Sequence, residues 1–219
     1  MADRVVRLRR TPRGFVRVRL TSGESLHLPE DLLRALGIAG GSEVSEEMLA
    51  HLREADRESR IYRRALHLLA RRPRSTAELG RYLARLGPPE TVRAVQRRLE
   101  REGLLDDLRF ARLWVTSRRA RRGLGFARLR KELLARGVSR EVAEEALRAI
   151  REEDEAELAE RLADARLRAY RGLKPEVAAR RLGAYLARRG FPWTTVLSVL
   201  RRKGLLDPSS EGSGSYGGI

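Results

Sequence analysis

Cysteine is absent, so the chain can form neither a disulfide nor a thiolate metal site. Histidine is scarce: His27, His51 and His67 stand too far apart to suggest a zinc cluster. No apolar run approaches membrane-spanning length. The opening residues, MADRVVRLRR, carry charge with no apolar signal core behind it. These absences predict a soluble cytoplasmic protein with no membrane partner. No Gly-rich phosphate loop, nucleophile elbow or metalloprotease motif occurs. Glu100, Glu102, Asp106 and Asp107 lie close in sequence, but around a glycine-stopped helix end with no histidine and no metal-type spacing. Structural or capping roles are expected for them. Nothing supports an enzyme, so no catalytic, metal or cofactor residue is expected.

What the chain does have is positive charge. Its 219 residues hold 47 Lys and Arg against 30 Asp and Glu, a formal net charge of +17. Arg far outnumbers Lys. The guanidinium is a planar fork that matches phosphate and carboxylate bidentately. Such a protein binds polyanions at least non-specifically, and the binding weakens steeply with salt. A GC-rich genome or a thermophilic source gives the same bias without a nucleic-acid partner, so charge alone does not fix function.

One stretch recurs three times: LGRYLARLGPPETVRAVQRRLEREGLLDD from Leu79, LRKELLARGVSREVAEEALRAIREED from Leu129, and LGAYLARRGFPWTTVLSVLRRKGLLD from Leu182. Each copy reads as a helix stopped by a glycine (Gly87, Gly137, Gly190), a turn and a second helix. The glycines are 50 and 53 residues apart. A period near that length marks tandem copies of one supersecondary unit. Leu79, Tyr82, Leu83 and Leu86 form the middle-helix stripe of the first copy; Phe126, Leu129, Leu133 and Leu134 that of the second; Val177, Leu182, Tyr185 and Leu186 that of the third. A further helix precedes each pair, and Phe110, Leu113, Trp114 and Val115 are read as core on the second such helix, because a Trp is best buried. The last helix of the last copy reads as shorter than that of the first, as terminal repeats often are.

The N-terminus differs. Val5, Phe15, Val16, Val18, Leu20, Leu26 and Leu28 alternate with polar residues, which predicts strands near 4–9, 14–20 and 24–28. Arg17 and Arg19 lie between apolar neighbours and give one strand a wet basic face. Residues 1–20 hold seven bases and one acid. Pro29 opens a short helix stopped by Gly37, and Ser45 caps the next. The fold class expected is mainly α: three tandem three-helix repeats forming an elongated curved array, preceded by a small strand-rich domain. The expected divisions are a β domain at 1–45, a connecting helix at 46–60, repeats at 61–107, 108–154 and 155–207, and a disordered tail at 208–219.

Charge is spread along the repeats, which hold eleven bases against six acids, thirteen against seven, and twelve against seven, the last taken to the C-terminus. That distribution favours an extended basic face over a single phosphate pocket. The densest run is Arg118, Arg119, Arg121 and Arg122, with Arg128, Arg130 and Lys131 beyond it. Arg71, Arg72 and Arg74 take the equivalent place in the first repeat, and Arg171, Lys174, Arg180 and Arg181 in the third. Recurrence at matching places marks these as candidate anion contacts, since repeat loops commonly line one face. Arg188, Arg189, Arg201, Arg202 and Lys203 are weaker candidates, expected to pair with acids at helical spacing or to keep the chain soluble.

Several motifs then occur in a linked order: Arg71-Arg72-Pro73-Arg74-Ser75 with Glu78-Leu79, Gly103-Leu104-Leu105-Asp106-Asp107, Arg109-Phe110-Ala111 to Trp114-Val115, Ser117-Arg118, and Gly123-x-Gly125 to Arg130-Lys131-Glu132-Leu133. Over residues 61–207 this order resembles the RecX family of bacterial recombination regulators. Phe110, Trp114, Gly87, Gly137 and Gly190 stand at signature positions of a structural kind. The resemblance implies three tandem three-helix repeats and no enzymatic activity or cofactor. It implies a protein that binds the RecA recombinase filament in its helical groove and limits it, with non-specific DNA contact besides. A monomer is expected. Leu108 stands where the motif commonly has an acid, and Leu86-Gly87-Pro88-Pro89 is richer in proline than most members. The alternative reading is a direct DNA-binding transcriptional regulator. Each unit also resembles a helix-turn-helix, and LHLPEDLLRALGIAGGSEV is similar to AbrB-type regulators.

Overall fold

Alternation of Phe15, Val16, Val18 and Leu20 with Arg17 and Arg19 builds a strand with one buried side, β2 (Phe15–Leu20). A computed structural model describes residues 3–12, 14–149 and 152–206 of the chain. In it β2 pairs antiparallel with β1 (Asp3–Thr11) and with β3 (Ser25–Pro29). The register sets Leu8 opposite Val18, and Val18 opposite Leu26. A fourth strand, β4 (Glu43–Val44), adds to β1 and gives the order β3-β2-β1-β4. At two residues it is too short for alternation to reveal it. The tail expected at 208–219 lies outside the described residues. The chain forms two compact units, Met1–Asp106 and Asp107–Ile219.

In the first unit, Val5, Val18, Leu20, Leu26 and Leu28 pack with Leu33 of α1 (Glu30–Ala35) and with Leu49 and Leu52 of α2 (Glu46–Arg71). The Ser45 hydroxyl caps α2 by accepting the Met48 amide at 3.2 Å. The buried Asp56 of α2 accepts the His27 amide of β3 at 2.7 Å and pairs with Arg60. The connecting helix expected at 46–60 runs into the first helix of the first repeat without a break. No Gly or Pro lies between Glu46 and Arg71 to break it, and α2 runs unbroken for 26 residues, about 39 Å. Its first half covers the sheet. Its second half packs Ile61, Tyr62, Ala65 and Leu68 against α3 (Thr76–Leu83) and α4 (Pro89–Arg101). Leu79, Leu83, Val95 and Leu99 are fully buried there. Each such side chain contributes about 1.5–3 kcal/mol of burial.

Gly87 does not stop α3. The helix ends at Leu83, and Gly87 is not among the glycines with a left-handed backbone. Pro88 and Pro89 push the residues before them out of the helical region. Gly87 instead provides space, since a Cβ there would lie 2.6 Å from Ile61 Cδ1. Leu86 accordingly leaves the apolar stripe and is exposed.

The second unit holds two three-helix repeats. α5 (Asp107–Arg122), α6 (Phe126–Ala135) and α7 (Arg140–Arg148) bury Phe110, Ala111, Val115, Leu129, Leu133 and Ala146. α8 (Glu152–Arg168), α9 (Pro175–Arg189) and α10 (Trp193–Arg202) bury Leu158, Leu182, Leu186, Val196 and Leu200. Leu113 departs from the expected core and is 50% exposed. At about 100° per residue the face shared by Phe110, Ala111 and Val115 points nearly away from it. Leu134 is displaced from the Leu129–Leu133 line in the same way and is also exposed. Gly137 and Gly190 do end their helices, at φ of 80° and 90°. The amides of Val138 and Phe191 reach back to the carbonyls of Leu133 and Leu186. The third helices span 13, 9 and 10 residues, so trimming is not confined to the last copy. Among the described residues four strands stand against ten helices, so the protein is mainly α, with a strand-rich N-terminal part before three tandem three-helix repeats.

Candidate functional site

The RRARR run lies on the last turns of α5, where bases suit the negative end of the helix dipole. Gly123 ends the helix at φ 56° and lies against Leu162 of α8. α6 begins immediately afterwards, with Gly125 in the N-cap position and no side-chain cap. Its free amides find partners far away in sequence. Gly125 donates to the Arg189 carbonyl at 2.8 Å, and Ala127 to the Gly190 carbonyl at 3.2 Å. Phe126 donates to Glu155 Oε1 at 2.9 Å. The N-terminus of α6 is thus closed by the C-terminus of α9 and by a carboxylate from α8. Glu155 is buried and also accepts from Arg119 at 2.8 Å. Burial pushes its carboxyl above the usual range, and the Phe126 amide and Arg119 offset this only in part.

Beside this joint lies a groove of about 630 Å³. Leu158, Leu162 and Tyr185 supply its apolar lining, while Arg119, Arg121, Arg122, Arg188 and Arg189 supply its cations. Arg119 is held by Glu155. Arg189 lies over the Tyr185 ring at 4.6 Å and donates to the Arg122 carbonyl. Arg121, Arg122 and Arg188 are exposed and form no ion pair with any described residue. Three uncompensated guanidinium groups around one concavity can take an anion with several oxygens.

The other predicted cations divide. Arg118 lies over the Trp114 ring at 4.0 Å and pairs with Glu132 at 3.4 Å. Arg128 pairs with Glu132 and Arg130 with Glu144. Arg72 pairs with Glu78 at 3.3 Å. These four help to hold their own repeats together. Arg74 is partly buried, with its Nε unpartnered. Arg71, Lys131, Arg171, Lys174, Arg180 and Arg181 are exposed. The groove therefore unites Arg119, Arg121 and Arg122 with Arg188 and Arg189, which sequence reasoning had ranked low. Arg122 and Arg189 are 67 residues apart in the chain, and the joint between the start of α6 and the end of α9 lies beside them.

Trp114 is a packing centre. It stacks with Phe110 at 6.0 Å, donates to Glu132 at 3.1 Å and lies under both Arg118 and Arg136. Glu102 is held by Arg98 and the Tyr62 hydroxyl. Burial pushes its carboxyl up, but those two partners outweigh it and leave it below the ordinary range. Among the described residues no group of His, Asp and Glu is placed to hold a metal ion. No helix among them is long and apolar enough to cross a membrane.

Three family models match the helical part in tandem: the first three-helix domain of RecX over residues 62–101, the second over 106–147 and the third over 152–200. The chain belongs to the RecX family. A relative named Regulatory protein RecX, from Thermobifida fusca, is 38% identical over 156 residues, which is 71% of this chain and 80% of the relative. Another of that name, from Mycobacterium ulcerans, is 40% identical over 149 residues, 67% of this chain and 86% of its own. A crystal structure of regulatory protein RecX superposes with a TM-score of 0.76 at 23% identity, covering 91% of this chain and 98% of its own. That of RecX from Lactobacillus salivarius gives 0.65 at 20% identity over 69% and 99%. At those identities the two structures establish the fold. The named relatives make the RecX chain a regulatory protein. The RecX domain models leave residues 1–61 unmatched.

Proposed function

We propose that the protein binds the RecA–DNA filament and limits the recombinase without catalysing a reaction, by laying the cationic surface of its helical repeats along the filament. The observation that carries this reading is the groove rimmed by Arg121, Arg122 and Arg188 in a chain of the RecX family. No acid among the described residues pairs with them, so their charge is available to DNA phosphate or to carboxylates of the filament. The protein acts as a cytoplasmic monomer, without a cofactor. Its contact with DNA is largely independent of sequence.

The test is the ATPase or strand-exchange activity of RecA on single-stranded DNA, with the protein added in rising amount. Loss of activity at stoichiometric or lower amounts is expected, and no loss would sink the reading. Binding to one duplex about 10³-fold more tightly than to random duplex, with RecA unaffected, would replace it with a site-specific DNA reader.

A further inference from the structure

The outward face of the N-terminal sheet sets like charges opposite one another. Arg7 of β1 stands across from Arg19 of β2, and Arg9 across from Arg17. All four are exposed. β3 extends the two rows with Ser25 opposite Arg19 and His27 opposite Arg17. Like charges directly opposite on antiparallel strands destabilise the pair. Here two such pairs stand side by side, and none of the four arginines has an ion pair with a described residue.

The nearby acids are committed elsewhere. Asp3 bonds to Thr21 and Ser22, Glu24 to Arg53, Glu30 to Arg10, Glu43 to Arg4, and Asp56 to the His27 amide and Arg60. Arg17 Nε donates to His27 Nε2 at 3.1 Å, so the imidazole accepts and is uncharged. Burial holds His27 below its ordinary pKa, and the positive field of Arg63, Arg17 and Arg60 adds to that. The arginines are rooted on the strands about 7 Å apart along each strand and about 5 Å apart across the pair.

We propose that this face of the sheet, carrying Arg7, Arg9, Arg17 and Arg19, binds the phosphate backbone of nucleic acid irrespective of base sequence. Guanidinium forks in two rows suit a polymer of phosphates, each of which takes two parallel hydrogen bonds. Stacking on a phenyl ring is not on offer, because Phe15, the one phenyl ring on these strands, is buried against Tyr62. A lipid surface is disfavoured, because membrane-surface binders set apolar anchors among their charges. The six residues in the rows here are Arg7, Arg9, Arg17, Arg19, Ser25 and His27; β1 exposes Val6 at its bulge beside Arg7, and Leu8 lies on the opposite face with Val18, which is a small apolar area against four guanidinium groups. The proposal does not depend on recombinase binding by the helical repeats.

The test uses the full chain and a fluorescein-labelled DNA of random sequence, single-stranded and duplex, in a salt series followed by anisotropy. Arg7→Glu/Arg9→Glu and Arg17→Glu/Arg19→Glu each turn the like pairs into opposite pairs. Both variants should melt no lower than the parent, bind about tenfold or more weakly at 0.1 M salt, and lose about two from the slope of log K against log salt. If the reversed variants fail to fold, Arg7→Gln/Arg9→Gln and Arg17→Gln/Arg19→Gln carry the same slope test. Folded variants that keep the parent's affinity and slope would overturn the proposal. So would variants that lose binding to phosphatidylserine vesicles while DNA binding is unchanged. Inhibition of RecA ATPase by these variants reads the repeats separately.

Discussion

Gly125 and Gly190 meet backbone to backbone: a Cβ on Gly125 would lie 2.6 Å from the Gly190 carbonyl oxygen, and one on Gly190 would lie 2.4 Å from the Arg128 amide nitrogen. The start of α6 can approach the end of α9 only because neither residue has a side chain. Gly125→Ala and Gly190→Ala should each destabilise the protein by about 1–3 kcal/mol through overpacking against backbone. Gly190→Ala adds about 1–2 kcal/mol of left-handed strain. Gly204→Ala, at φ 66° with open space around it, carries the strain alone. Urea midpoints of the three variants, read at constant m, check the order: Gly190→Ala lowest and Gly204→Ala nearest the parent.

Much of this fold was legible in the chain. Leucine stripes at helical spacing, Ser45 before a helix start, and Gly137 and Gly190 at helix ends each act through neighbours in sequence, so a local reading finds them. Leu113 and Leu134 show the limit. They are apolar and adjacent to core positions, yet the turn of the helix carries them outward. Gly87 was legible as special but not as space for Ile61, because that contact comes from a helix earlier in the chain. The groove was half legible. Arg121 and Arg122 stood out as an unneutralised run, whereas Arg188 and Arg189 looked like solvated helix-end charges until the α6–α9 joint brought them alongside.

Glu155 should matter more as an acceptor than as a charge. Glu155→Ala leaves the Phe126 amide without its acceptor and takes one carboxylate away from Arg119, with an expected loss of about 1–3 kcal/mol. Glu155→Gln keeps an acceptor and should lose less. Because burial raises the folded-state pKa, the folded chain holds the Glu155 proton more tightly than the unfolded chain does. That contribution is fully present below the unfolded value and is lost as pH rises through the folded one. Denaturation across pH 4–8 should show the parent gaining on Glu155→Gln toward the acid end.

Asp3 has the opposite sign. Hydrogen bonds from Ser22 and Thr21 lower its pKa from 3.8 to about 2. Its contribution is present above the unfolded value and is lost as pH falls through about 2. Melting of the parent and Asp3→Asn between pH 2 and 5 should converge at the acid end. A direct NMR titration should place the Asp3 carboxyl near 2, below the ordinary aspartate value.

Trp114 is expected to be structural. Trp114→Phe removes the hydrogen bond to Glu132 and weakens the stacking of Arg118 and Arg136, with a loss of about 1–3 kcal/mol. At a temperature where the variant is folded, its effect on RecA ATPase should equal the parent's. A thermal melt paired with the ATPase assay separates the two contributions.

We propose that the α5–α8–α9 groove carries the contact with the filament. The most direct measurement is inhibition of RecA ATPase on single-stranded DNA by Arg121→Ser/Arg122→Ser/Arg188→Ser, beside the parent at equal concentration. These side chains are exposed and form no ion pair with a described residue, so the melting temperature should stay within a few degrees of the parent's. The half-inhibitory concentration should rise about tenfold or more. A folded triple variant that inhibits as well as the parent would contradict the account.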